Sequence, residues 1–187
     1  MGCNVKLKKF IIYTLTFFIL MGAGVPQIVQ VHAKTQRIIY SNGDVYTGSV
    51  TIESFDEDEP EVIKNGKGIY KCKNGTKITG IWTDDYLNGS GKIVYKNKEK
   101  YIGKFKQDQK SGTGKYYFKN GDIYNGKWKK DKMHGKGKYK LKKGMILAGT
   151  WKNGYLQGKC TFTTKKYIYK IGMKKGKLKK IYSWRKK

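Results

Sequence analysis

The sequence predicts an all-β fold, an elongated single-layer antiparallel sheet of stacked 23-residue β-hairpins behind an N-terminal hydrophobic helix. Three observations lead there. Glycines recur with a fixed period, aromatic side chains flank them at two-residue spacing, and Asn-Gly dipeptides punctuate the resulting segments. Composition agrees: 24 glycines, 15 tyrosines and two prolines make a poor helix former and a good source of short strands. Aromatics at 14% are too abundant for a disordered chain.

The first 33 residues stand apart. Lys6, Lys8 and Lys9 precede an apolar run from Phe10 to Val25, followed by Pro26 and the small-residue site Val31-His32-Ala33. A basic start, an apolar stretch and a V-x-A ending fit a secretory signal peptide cleaved after Ala33. A retained membrane anchor is the alternative. Either makes the chain secreted, or held at the cell surface. The chain carries 41 Lys and Arg against 13 Asp and Glu, a net +28, which becomes +25 without residues 1–33.

The repeat is set by glycine. Gly80, Gly103, Gly126, Gly149 and Gly172 are 23 residues apart, and Gly48 precedes Gly80 by 23 plus a nine-residue insertion. A second series, Gly89, Gly112, Gly135 and Gly158, lies nine residues after the first. A third, Gly43, Gly75, Gly121 and Gly144, lies five before it. Around the first series the pattern is aromatic-x-Gly-x-aromatic: Tyr101-Ile-Gly103-Lys-Phe105 and Tyr124-Asn-Gly126-Lys-Trp128 in full, with Ile78 before Gly80 and Trp82, and Leu147 before Gly149 and Trp151. Residues two apart share one face of a strand, so rings bracket a bare glycine backbone and cover it. A second strand opens on Gly-x-Gly, as in Gly135-Lys-Gly137, and Asn-Gly is expected to turn the chain in a two-residue type I′ loop.

These residues carry a resemblance. The period, the Tyr-x-Gly-x-Trp strand, His134-Gly135-Lys136-Gly137 and the turn Asn120-Gly121-Asp122 are similar to MORN repeats. The similarity covers residues 40–163 and fades over 164–176, where Lys170 and Lys174 replace the flanking aromatics. It implies an open antiparallel sheet used as a binding or dimerisation scaffold, with lipid binding as a further implied role. Lys98 departs from the pattern at a turn glycine, Val50 at a tryptophan, and Cys160 at the second glycine of its pair. The 23-residue period also argues against the Gly/aromatic cell-wall-binding repeats, whose units are shorter.

The organisation expected is therefore 1–33 targeting segment, 34–164 repeat array and 165–187 degenerate last repeat with a basic tail. Within the array, Gly80, Trp82, Tyr101, Gly103, Phe105, Tyr124, Gly126, Trp128, Gly135, Gly137, Gly149 and Trp151 form the packing face. The opposite face carries Lys104, Lys115, Lys127, Lys136, Lys138, Lys140 and Lys159, joined by Lys174, Lys175, Lys177, Lys179 and Lys180 of the tail as a candidate anionic-binding surface. Two readings of those lysines stand side by side. They bind phospholipid headgroups or an acidic polymer, or they simply solvate the wet side of a one-layer sheet and keep it from aggregating.

The insertion Glu53–Glu61 holds six of the thirteen acids and reads as a solvated hairpin loop; it lacks the bend glycine a calcium loop needs. Cys72 and Cys160 fall about four hairpins apart, roughly 40 Å at ~4.8 Å per strand, so no intramolecular disulfide is expected. In the tail, Leu178, Ile181, Tyr182 and Arg185 follow helical spacing, suggesting a cap or a membrane-surface segment. Residues 34–187 hold one histidine, His134, and no Cys/His pair, no paired carboxylates in a plausible cleft and no phosphate-cradling loop before a helix. The sequence thus points to a non-enzyme with no cofactor, metal or small-molecule substrate, and no nucleic-acid partner. What remains is a protein-interaction or self-association scaffold, or a peripheral binder of anionic lipid or acidic polymer.

Overall fold

The computed structural model describes residues 29–54 and 61–187. The expected N-terminal helix lies outside the described residues up to residue 28, as do residues 55–60 of the acidic insertion. The described residues contain strands and turns and no helix.

The chain divides into two compact units, one ending at Tyr86 and the other beginning at Leu87. The first holds β1 (Val29–Ile39), β2 (Val45–Ser54), β3 (Glu61–Lys71) and β4 (Lys77–Thr83). At the boundary comes β5 (Tyr86–Val94), followed by β6 (Lys100–Lys106), β7 (Gln109–Tyr117), β8 (Ile123–Lys129) and β9 (Lys132–Lys140). The second unit ends with β10 (Ile146–Lys152), β11 (Tyr155–Thr163), β12 (Tyr167–Lys174) and β13 (Lys177–Lys186). Within each unit strand order follows chain order, every strand antiparallel to the next, giving one open layer. Residues 29–33, ahead of the expected cleavage point, are paired in β1, with Ala33 opposite Val50. The insertion closes the β2–β3 hairpin, Glu53 facing Glu61 across its mouth.

Two kinds of turn alternate, and their assignment corrects the sequence reading. The two-residue type I′ loops, with positive φ at both positions, are Asp84-Asp85, Gln107-Asp108, Lys130-Asp131, Asn153-Gly154 and Lys175-Gly176. At Asn42-Gly43, Asn74-Gly75 and Asn120-Gly121 only the glycine is left-handed, at φ 84°, 90° and 89°. Gly121 N donates to the Phe118 carbonyl at 3.0 Å and Phe118 N donates to the Asp122 carbonyl at 3.0 Å, a type I turn closed by a glycine bulge. The reason is the asparagine side chain. Asn120 Oδ1 accepts from Asp122 N at 3.0 Å, and this local bond holds Asn120 in the ordinary right-handed region.

Glycine pairs with glycine across the strands: Gly48 with Gly68 and Gly68 with Gly80 in the first unit, then Gly91, Gly103, Gly114, Gly126, Gly137 and Gly149 in succession in the second. Over this ladder lie tyrosine rings. A Cβ on Gly114 would come within 2.3 Å of the Tyr101 hydroxyl, and one on Gly137 within 2.4 Å of that of Tyr124. Each of these hydroxyls donates to the carbonyl three residues on, Tyr101 to Lys104 and Tyr124 to Lys127, both at 3.0 Å. Those carbonyls sit where the ladder breaks register, so the phenol satisfies an acceptor the sheet leaves open. Tyr101 packs edge-on against Trp128 at 5.2 Å, and Tyr124 against Trp151 at 5.2 Å, tying each repeat to the next.

The β10–β11 hairpin carries two substitutions that explain each other. Leu147 stands where the tyrosine would be, and Cys160 where the second glycine would be. Without a ring above it, that second position has room for a side chain, and the Cys160 Cβ and Sγ lie 3.0 Å from where a Cβ on Gly149 would be. Cys160 is a free, buried thiol. Cys72 and Cys160 are not bonded to each other, as expected from their separation along the array.

Candidate binding surface

The placement of acids determines which lysines are free. On one edge of the sheet, turn carboxylates clamp successive hairpins together. Asp122 accepts from the Tyr139 hydroxyl at 2.9 Å and from Lys142 N at 2.8 Å; Glu99 accepts from Tyr116 at 2.7 Å and Lys119 N at 3.2 Å. Asp44 does the same in the first unit with Tyr70 and Lys73 N. The Tyr116 hydroxyl chiefly holds Glu99 below the usual carboxylate range, and the Lys142 amide chiefly does so for Asp122. On the opposite edge Asp85, Asp108 and Asp131 accept from the backbone amides of Lys64, Leu87 and Lys110. The sequence reading missed both series, although 85, 108 and 131 repeat at the 23-residue period.

Two lysines are caged on the packing face. Lys64, 1% exposed, lies 3.0 Å from Asp85 and 5.3–5.9 Å from the ring centres of Trp82, Tyr40 and Tyr70. Lys110 repeats the arrangement with Asp131 at 3.0 Å and the rings of Tyr95, Tyr101 and Trp128 at 5.8–5.9 Å. Burial alone would lower the Lys110 pKa, but neighbouring Tyr95 and Asp131 outweigh it and hold the ammonium above its ordinary value. The equivalent positions in the other repeats are Leu87, Met133 and Leu156. These two ammoniums are occupied internally and belong to the core.

The expected surface lysines lie elsewhere. Lys104, Lys115, Lys127, Lys136, Lys138, Lys140 and Lys159 all project from the face opposite the rings, and all but half-buried Lys115 are exposed. None is paired with a carboxylate; the Lys104 ammonium donates to Ser90 Oγ at 2.8 Å. The face is mixed: one row runs Lys92, Ile102, Lys115, Asn125 and Lys138, and the next Lys100, Tyr117, Ile123, Lys140 and Ile146, each residue directly opposite its neighbour. Lys92 and Lys100 were missed, though Lys92 lies one period before Lys115. The tail lysines divide. Lys180 joins the outer face, its ammonium 5.5 Å from the Tyr182 ring that Lys159 approaches at 5.6 Å. Lys174, Lys175 and Lys177 sit at the last turn, and Lys179 at a bulge.

The tail is a strand, and this corrects the helical reading. β13 pairs with β12 through two bulges, at Lys179 and Tyr182. Each extra residue rephases the strand, so Leu178, Ile181 and Trp184, three apart in sequence, all fall on the ring-bearing face opposite Met173, Ile171 and Tyr169. A spacing of three thus mimics a helix. They are 55%, 52% and 63% exposed.

Among the described residues no group of three or more His, Cys, Asp or Glu is placed to hold a metal ion. The MORN repeat family profile matches residues 63–77, 79–100, 101–123, 124–146 and 148–168, more than half of the chain. The match begins at residue 63, later than the resemblance read from residue 40. No curated protein matches. Solved structures with a likeness include the SAS-4 (dCPAP) TCP domain of Drosophila melanogaster in complex with a proline-rich motif of Ana2 (dSTIL). It is 16% identical, with a TM-score of 0.37, covering 81% of this chain and 93% of that one. Another is the TCP10 domain of Danio rerio CPAP in complex with a peptide of STIL, 11% identical, with a TM-score of 0.29, covering 79% of this chain and 83% of that one. The repeat geometry and the profile agree, and the chain belongs to the MORN-repeat family.

Proposed function

We propose that this chain is a non-catalytic interaction scaffold at the cell surface or in an extracytoplasmic space, acting through protein contacts or self-association. The observation that supports this most is the uncovered apolar row Leu178, Ile181 and Trp184 on β13. In the interior of the array the ring-bearing face of each strand is packed by the hairpins on both sides, whereas these three side chains are more than half exposed and suited to a partner. The test is size-exclusion chromatography with light scattering and pull-down on the wild type and on an Ile181→Ser, Trp184→Ser variant. Association by the wild type that the variant loses supports the reading. A strict monomer that captures nothing ends it. The extracytoplasmic location rests on the apolar N-terminal stretch alone, and the N-terminal residue of the mature protein from a fractionated cell, read by mass spectrometry, tests it.

A second reading has its own support. In the unit beginning at Leu87 the acids Glu99, Asp108, Asp122 and Asp131 all lie in turns, and every strand is free of acid. The lysine face therefore presents uncompensated positive charge, suited to peripheral binding of anionic phospholipid or an acidic polymer. Cosedimentation with anionic and neutral vesicles across a salt series tests it, and equal binding to both would remove it.

A further inference from the structure

We propose that the outer face of β5 to β9 is a track for a linear, unbranched phosphate polymer lying across the strands. This rests on the anionic-binding reading above and gives it a ligand class, a direction and named residues.

The spacing of charge carries the inference. Lys92 on β5, Lys115 on β7 and Lys138 on β9 stand in one directly paired row. The strands between contribute Ile102 and Asn125 to that row, and each places its lysine two residues further along, Lys104 on β6 and Lys127 on β8. Every strand from β5 to β9 therefore supplies a cation, alternating between two rows. Strands are ~4.8 Å apart and two residues along a strand span ~6.6 Å, so these five ammoniums form a zigzag with one charge per ~4.8 Å, flanked by Lys100 on β6 and by Lys136 and Lys140 on β9. A continuous line of cations across the strands matches a linear array of anions.

The borders point the same way. Glu99 and Asp122 lie along one edge and Asp108 and Asp131 along the other, all held there by hydrogen bonds from the fold. A broad anionic sheet would meet these carboxylates as well as the lysines, whereas a single chain running between them meets no carboxylate. The rings on which nucleobases could stack, Tyr101, Tyr116, Tyr124 and Trp128, belong to the opposite face, leaving Tyr117 and, at the start of β5, Tyr86 on the track side of these strands. The geometry suits a phosphate chain without bases.

The experiment uses the full chain, long-chain inorganic polyphosphate, triphosphate at equal phosphate concentration, a single-stranded oligonucleotide and phosphatidylglycerol vesicles. A track variant, Lys92→Gln, Lys115→Gln, Lys127→Gln and Lys138→Gln, is compared with an equally charged control, Lys96→Gln, Lys143→Gln, Lys165→Gln and Lys166→Gln. Melting of both confirms the fold. The expected result is salt-sensitive binding of long polyphosphate, weakened roughly tenfold or more in the track variant and little in the control, with far weaker binding of triphosphate. Equal loss in both variants, or tighter binding of the oligonucleotide, overturns the track. Vesicle binding without polyphosphate binding also overturns it and leaves the broader anionic reading standing. Binding of none of the probes overturns both.

Discussion

The Tyr101 hydroxyl donates to the Lys104 carbonyl at 3.0 Å and sits so close over Gly114 that a Cβ there would come within 2.3 Å of it. One side chain thereby requires the neighbouring glycine and closes the hydrogen bond that the strand irregularity leaves open. Gly114→Ala is expected to destabilise the chain by about 1–3 kcal/mol through overpacking, read as a fall in thermal midpoint by circular dichroism. Combining Gly114→Cys with Tyr101→Leu copies the Leu147 and Cys160 arrangement. That double variant should be more stable than Gly114→Cys alone, and additive losses would show that the two positions are not coupled.

The turn clamps are expected to contribute separately from the rings. Asp122→Ala removes acceptors for the Tyr139 hydroxyl and Lys142 N, with a cost of about 1–2 kcal/mol at this half-exposed site. Asp122→Asn keeps one acceptor oxygen and should lose less. Equal stability of all three proteins in urea melts would remove the clamp from the account.

Acid and alkali should act on different groups. Glu99 and Asp122 have depressed pKa values, so their contribution is full above the ordinary carboxylate value near 4 and is lost as pH falls through the lower, folded values. Glu99→Gln with Asp122→Asn should flatten that acid limb. Burial raises Tyr124 and Tyr139 to about 12, so their stabilisation is complete below the ordinary value near 10 and declines as pH rises from there toward 12. Urea midpoints across both ranges check the signs.

Lys98 adopts φ 69° at the position that Gly43, Gly75, Gly121 and Gly144 fill in other turns. A left-handed lysine carries a penalty of roughly 1–2 kcal/mol, partly offset by the greater unfolded entropy of glycine. Lys98→Gly is expected to raise stability by about 0.5–1 kcal/mol, measured by denaturant midpoint. A loss would contradict the turn assignment.

The caged lysines should be replaceable by the residues that sequence places in the same phase. Lys110→Met mimics Met133 and removes a buried charge while Asp131, half exposed, keeps its bond from the backbone amide. The change is expected to be neutral or stabilising within about 1 kcal/mol. A large loss in a thermal melt would mean that the ring cage depends on its ammonium.

Much of this fold was legible because its determinants repeat. The glycine series fixed the hairpin length, and alternation fixed which side of each strand bears Tyr101 and Trp128 and which bears Lys104 and Lys127. Less legible were features set by partners one hairpin away. Asp122 looks like a turn residue until Tyr139 and Lys142 arrive 17 and 20 residues later. Lys110 looks like surface charge, since nothing local says that Tyr95 and Trp128 enclose it. The tail misled for a different reason: two bulges gave a strand the spacing of a helix, and bulges leave no periodic trace. The Asn-Gly turns were misassigned because the dipeptide serves both turn types, and the asparagine's own side-chain bond decides between them.

The central claim is that rings and glycines hold the array while the outer lysines are free to bind. Its most direct test is the thermal midpoint of a variant with Lys104, Lys127, Lys136, Lys138 and Lys140 all changed to glutamine. The expected midpoint is unchanged or higher, because like charges are removed from one face. A fall of more than about 5 °C, equivalent to roughly 1 kcal/mol or more for a chain of this size, would show that those lysines hold the sheet together and would contradict the division of the two faces.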